Sequence, residues 1–203
     1  YDAENLAFIL PAGKYIGNSR YKDVFAASTM ADLTSFRNHW GAETSLDVEL
    51  YRPVARYELV AKDVATFLNK LSTGGLKGES FTARVKYSDY LPTGYNLWDD
   101  VPKNSLMYME YKVAFERPAD GTKELILGFD YVLTDAGETV SIPVELEILN
   151  EKNEVLARTA FRIPCERGKN TTVRGNFLTS DANGGIGIDP DYDGDLEVDL
   201  GEL

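Results

Sequence analysis

A chain of 203 residues with 43% apolar and 11% aromatic side chains holds enough material for a packed core, which excludes wholesale disorder. Its formal net charge of -12 excludes a nucleic-acid binder, because neutralising phosphates needs a basic surface. The single cysteine, Cys165, excludes an intrachain disulfide, and no apolar run reaches the roughly 18 residues that a membrane-spanning helix needs.

The charge is unevenly placed. Residues 181–203 carry eight acids and no Lys or Arg, while the other 180 residues hold 25 acids against 21 bases. The body is therefore near neutral and the last stretch is an acidic edge. Tyr1 is not an initiator methionine, so an upstream segment is expected to have been removed.

In chain order, residues 6–10 form a short apolar strand and residues 23–27 a second, with a loop-like stretch from Pro11 to Ser19 between them. Two short strands bury too little surface to stand alone. This segment either packs on a larger sandwich or is the remnant of an N-terminal β-domain. The second reading divides the chain into residues 1–47 and a C-terminal sandwich at 48–203.

Period-two alternation then predicts strands at 44–50 (Leu46, Val48, Leu50) and 53–61 (Ala55, Tyr57, Leu59). Asp63 is placed to cap a helix in which Val64, Phe67, Leu68 and Leu71 share one face before Gly74-Gly75 ends it. Further strands follow at 80–87, 105–115 and 124–133, the last with Leu125, Leu127, Phe129, Tyr131 and Leu133 on one face. Residues 139–148 and 155–163 flank the polar turn Asn150-Glu-Lys-Asn153 and read as a hairpin. Residues 171–178 alternate again, and a short strand at 195–200 closes the chain. The expected fold is an all-β antiparallel sandwich with one short helix.

Catalytic vocabulary is sparse. His39 is the only histidine and sits in a polar loop; Cys165 reads as an inert, half-buried thiol. No phosphate-binding loop, nucleophile elbow or dinucleotide fingerprint is present, so the expectation is a non-enzymatic protein without a cofactor. Asp189, Asp191 and Asp193 with Gly194 and Asp195 match the opening of a calcium loop, where hard oxygen ligands converge on a glycine turn. Leu200 stands where the bidentate acid should be, however, and Pro190 stiffens the second position. An acidic turn with local side-chain hydrogen bonds accounts for the same residues. The aromatics Tyr90, Tyr95 and Trp98, with Tyr87 nearby, form either a sugar-stacking platform or a cap over the end of the core.

Four ordered segments resemble the fimbrillin-like surface lipoproteins of Bacteroidales, the superfamily of type V pilus subunits and anchors. They are Leu50-Tyr-Arg-Pro-Val-Ala-Arg-Tyr57, Leu91-Pro-Thr-Gly-Tyr-Asn96, Leu127-Gly-Phe-Asp-Tyr-Val132 and the stretch from Arg167 to Asp195. The resemblance implies transthyretin-like sandwich domains at the cell surface. It also implies attachment to the outer membrane through a lipidated segment upstream of Tyr1, and other pilus or surface-protein subunits as partners. Assembly would proceed by strand addition, in which one subunit's strand completes a neighbour's sheet. A surface glycan-binding sandwich that uses Tyr90, Tyr95 and Trp98, with host or glycan ligands, is the alternative.

Overall fold

A computed structural model of the chain describes residues 15–179 in full and residues 7–9 and 195–199 as backbone. Eleven strands and one helix are described: β1 (Ala7–Ile9), β2 (Val54–Ala61), α1 (Val64–Ser72), β3 (Ser80–Tyr87), β4 (Leu91–Asn96), β5 (Val101–Leu106), β6 (Glu110–Glu116), β7 (Leu125–Leu133), β8 (Thr139–Asn150), β9 (Val155–Glu166), β10 (Asn170–Gly175) and β11 (Asp195–Asp199). Two four-stranded sheets, ordered β11-β10-β2-β7 and β6-β3-β8-β9, enclose the main core; a three-stranded sheet, β1-β4-β5, lies beside them. The protein is an all-β sandwich with one short helix.

Alternation produces this core directly. On β3, Phe81, Ala83, Val85 and Tyr87 are buried while Thr82, Arg84 and Lys86 point away. On β8 and β9, Ile142, Val144, Leu146 and Ile148 face inward with Ala157, Phe161 and Ile163. Helix α1 closes one part of this core, its Phe67 ring set edge-on to Phe81 at 5.1 Å. The fully buried Cys165 thiol is pushed up to about 12 by burial and by the charge of Asp130, so it is an inert core group.

Several expectations change. Residues 44–50 form no strand; Leu46, Val48 and Leu50 are exposed, because alternation supplies a strand-compatible face but not a neighbouring edge to pair with. The stretch at 105–115 is two strands in different sheets. The chain bends between β5 and β6 at Tyr108, whose φ is +60°, and periodicity does not register that break. Residues 91–96, outside the strands that alternation predicts, form β4, and the strand expected at 23–27 is reduced to one bridge between Ala26 and Tyr51. Most pairs are antiparallel, but β10 runs parallel to both β2 and β11 after the chain crosses from the other sheet.

Residues 15–26 pack on the sandwich. The Asn18 amide donates to the Phe129 carbonyl at 3.0 Å, and the Phe129 amide returns a bond to the Asn18 side chain at 3.2 Å. Gly17 makes the approach possible: a β-carbon there would lie 2.3 Å from the Tyr111 ring. β1 extends this attachment by pairing antiparallel with β4.

Candidate functional site

The densest polar cluster is buried, and a backbone irregularity builds it. The pairing of β2 with β7 shifts register between Leu59 and Val60, opposite Gly128, whose φ is +153°. Leu127 points into the main core before this bulge; after it the phase inverts, so Asp130 and Val132 point inward. Phe129, Tyr131 and Leu133, expected on the core face, instead pack with Val54 and Tyr95 in a second apolar cluster. The bulge therefore delivers a carboxylate into the core.

Asp130 has no exposed surface and is fully bonded. Its Oδ2 accepts hydrogen bonds from the hydroxyls of Tyr15 and Tyr87, each at 2.6 Å. Its Oδ1 lies 2.5 Å from Lys22 Nζ and accepts the Tyr131 amide at 2.9 Å. Lys22 Nζ also donates to the Tyr15 hydroxyl at 2.6 Å and to the Tyr131 carbonyl at 3.3 Å, and sits 4.1 Å from the centre of the Tyr15 ring. Tyr57 continues the network, 2.6 Å from the Tyr87 hydroxyl and 3.2 Å from that of Tyr111. Burial first, and the Asp130 charge second, raise Tyr15, Tyr87 and Tyr111 well above the usual phenol range. Tyr57 rises for the same leading reason, with Tyr111 next. Burial lowers the Lys22 ammonium, opposed by Asp130. None of this was legible in the sequence, where Lys22 and Asp130 stand more than a hundred residues apart.

A second cluster surrounds Asp100. Arg167 grips its carboxylate through two hydrogen bonds of 2.8 and 2.7 Å, and the hydroxyls of Tyr51 and Tyr95 donate to it at 2.5 and 2.7 Å. The Arg167 hydrogen bonds hold the Asp100 carboxyl at about 2 against a smaller opposing effect of burial, with the two phenols helping. On the outer face of the second sheet, buried Glu147 accepts from Arg84, Lys86 and Arg158. Burial pushes its carboxyl up, but these three cations outweigh it and hold the group at about 2.

These two depressed carboxyls set a pH dependence. An ordinary carboxyl titrates near ~4, so the folded state binds these protons less readily than the unfolded chain. The stabilisation is present above about pH 4 and is lost as pH falls through about pH 2. Melting temperature followed from pH 5 to pH 2 should fall steeply, and Glu147→Gln should flatten part of that fall; an unchanged slope in the variant would contradict the assignment.

The residues singled out from the sequence do not gather into one platform. Tyr95 is fully buried, with its hydroxyl on Asp100, and is not available for stacking. Tyr90 and Trp98 are 62% and 75% exposed, but they lie beyond opposite ends of β4, which separates them by roughly 20 Å at about 3.3 Å per residue. Tyr90 borders a groove of about 200 Å³ with Asp89, Pro92, Asp135, Ser141 and Pro143. Asp189, Asp191 and Asp193 lie outside the described residues, and Asp195 is described only as backbone, at the start of β11. His39 stands exposed in its loop.

The family of unknown function (DUF6562) matches residues 1–201. No curated protein matches the sequence. Among solved structures, a candidate cell adhesion protein from Bacteroides ovatus ATCC 8483 is similar at 14% identity with a TM-score of 0.31. The similarity covers 62% of this chain and 41% of that one, so this chain spans less than half of that protein's length.

Proposed function

The chain belongs to the family of unknown function (DUF6562), and within that family we propose that it is a fimbrillin-like cell-surface structural or adhesion protein acting by strand-mediated assembly. The observation that carries this reading is how the first and last described strands are held. β1 adds to the edge of the three-stranded sheet, and β11 adds parallel to β10 at the edge of a core sheet. Each is short and far in sequence from the strands between β2 and β10. An edge of this kind binds any strand of matching register through main-chain hydrogen bonds, including one from a neighbouring subunit. The segments resembling fimbrillins support the same reading, since three of them supply β2, β7 and β10, which are adjacent in one sheet.

The test uses the β10 edge. The amides of Arg56 and Lys62 donate to the carbonyls of Lys169 and Gly175, so the odd-numbered groups of β10 serve β2. In a parallel ladder the bonds alternate between neighbours, which leaves the Thr172 amide facing β11. Light scattering should show a molar mass that rises with concentration, and Thr172→Pro should hold the protein monomeric. A monomer at every concentration, or oligomers indifferent to Thr172→Pro, would oppose strand exchange at this edge.

A second reading, a surface glycan-binding module, rests on the exposed Tyr90 ring beside Asp89 and Asp135 in the groove. Glycan-array binding lost in Tyr90→Ala, with assembly unchanged, would favour it.

A further inference from the structure

We propose that Lys22 and Asp130 condense into an intramolecular amide that fastens the segment carrying Lys22 covalently to β7. The inference is independent of strand assembly and rests on the geometry of the buried cluster. The nucleophilic nitrogen already lies 2.5 Å from one oxygen of the carboxyl it would attack, and the two side chains are 9% and 0% exposed. Bringing amine and acid together in a fixed pair replaces a bimolecular encounter. Burial takes away the solvation that favours the charged ammonium of Lys22.

Tyr15 supplies the proton path. Its oxygen is 2.6 Å from Lys22 Nζ and 2.6 Å from Asp130 Oδ2, which closes a ring of three hydrogen-bonded contacts. A proton moves from the ammonium to the Tyr15 oxygen as the Tyr15 proton moves to Oδ2, giving a neutral amine and a neutral acid. The Nζ lone pair then forms a bond to Cγ, and the charge gathering on Oδ1 is met by the Tyr131 amide, 2.9 Å away. A second proton from nitrogen reaches the Oδ2 hydroxyl through the same phenol, the Cγ–Oδ2 bond breaks, and water leaves. The Tyr87 hydroxyl, 2.6 Å from Oδ2, helps that departure. One ammonium and one carboxylate become one secondary amide and one water, with no oxidant or further reactant.

The surface pairs offer a contrast. Lys86 with Glu145 and Lys169 with Glu166 are both part-exposed, so solvent screens each pair. Burial also lowers the Lys22 ammonium, which favours the nucleophilic form, although the Asp130 charge opposes it.

Intact mass of the purified full chain under denaturing conditions reads the bond directly. The expected value is about 18 Da below the sequence mass, one water lost. Tryptic digestion should leave the chain uncut after Lys22 and yield a peptide pair joined through Lys22 and Asp130. Lys22→Arg should restore the full mass, and Tyr15→Phe should leave a mixture of bonded and unbonded chains that shifts slowly with time. A wild-type chain at its full sequence mass overturns the proposal. So does a deficit that persists in Lys22→Arg or maps to a succinimide at Asp120-Gly121.

Discussion

Asp130→Ala should lower the unfolding free energy by about 3–5 kcal/mol in urea titration, because it strands a buried ammonium without its counter-charge. Removing the carboxylate also takes the acceptor from the Tyr15 and Tyr87 hydroxyls, and each buried donor left unpaired costs about 1–3 kcal/mol. Loss of the proposed amide would add to this figure. The cost should fall on attachment as well as on the core, because Tyr15 and Lys22 hold residues 15–26 to β7. Asp130→Asn, which keeps an acceptor and the shape, should cost less than Asp130→Ala. A loss below about 1 kcal/mol for Asp130→Ala would mean that Lys22 escapes to water and that the cluster does not hold the segment.

Asp63→Ala should cost about 3 kcal/mol, well above the ~1 kcal/mol expected from losing a helix cap. Its carboxylate makes no cap bond to α1. Instead it accepts the Leu178 amide at 3.0 Å, the Thr179 amide at 2.8 Å and the Thr179 hydroxyl at 2.7 Å. The group therefore ties the start of α1 to the chain beyond β10, next to Phe177, which stacks on Phe161 at 5.3 Å. Its truncation leaves the fully buried Leu178 amide without a partner. Denaturant unfolding distinguishes the two roles: a cost near 1 kcal/mol fits a cap, and one near 3 kcal/mol fits a clamp on residues 178 and 179.

These cases show what the sequence could carry. The period-two faces of β3, β8 and β9 were readable because each is decided by the local pattern of apolar residues. The helix at 64–72 was readable for the same reason, and Asp63 was correctly placed at its start but given the wrong partner. Hydrogen-bond partners more than a hundred residues away leave no periodic trace. The bulge at Gly128 is the clearest example: alternation put Phe129 and Tyr131 inward, and one extra residue turned Asp130 inward instead. A glycine between apolar strand residues was the available signal, since Gly within a strand often marks a bulge or a close backbone approach. Tyr95 reads from the sequence as either a stacking aromatic or a cap over the core end; as part of β4 it is buried and bonded to Asp100. The exposed residues at 44–50 show the converse, an alternating pattern without a sheet edge to satisfy it.

The protein combines a segment held to the sandwich by Lys22 and Asp130 with an edge strand, β11, that we propose exchanges between subunits. Hydrogen exchange of the intact protein, resolved to individual amides, tests both halves together. The Asn18 and Ala26 amides, bonded to Phe129 and Tyr51, should exchange as slowly as those of β2 and β7. The Thr172 amide and those of β11 should exchange at least about tenfold faster, through opening of that edge alone. Fast exchange at Asn18 and Ala26, or protection of β11 equal to that of β2, would contradict this combination.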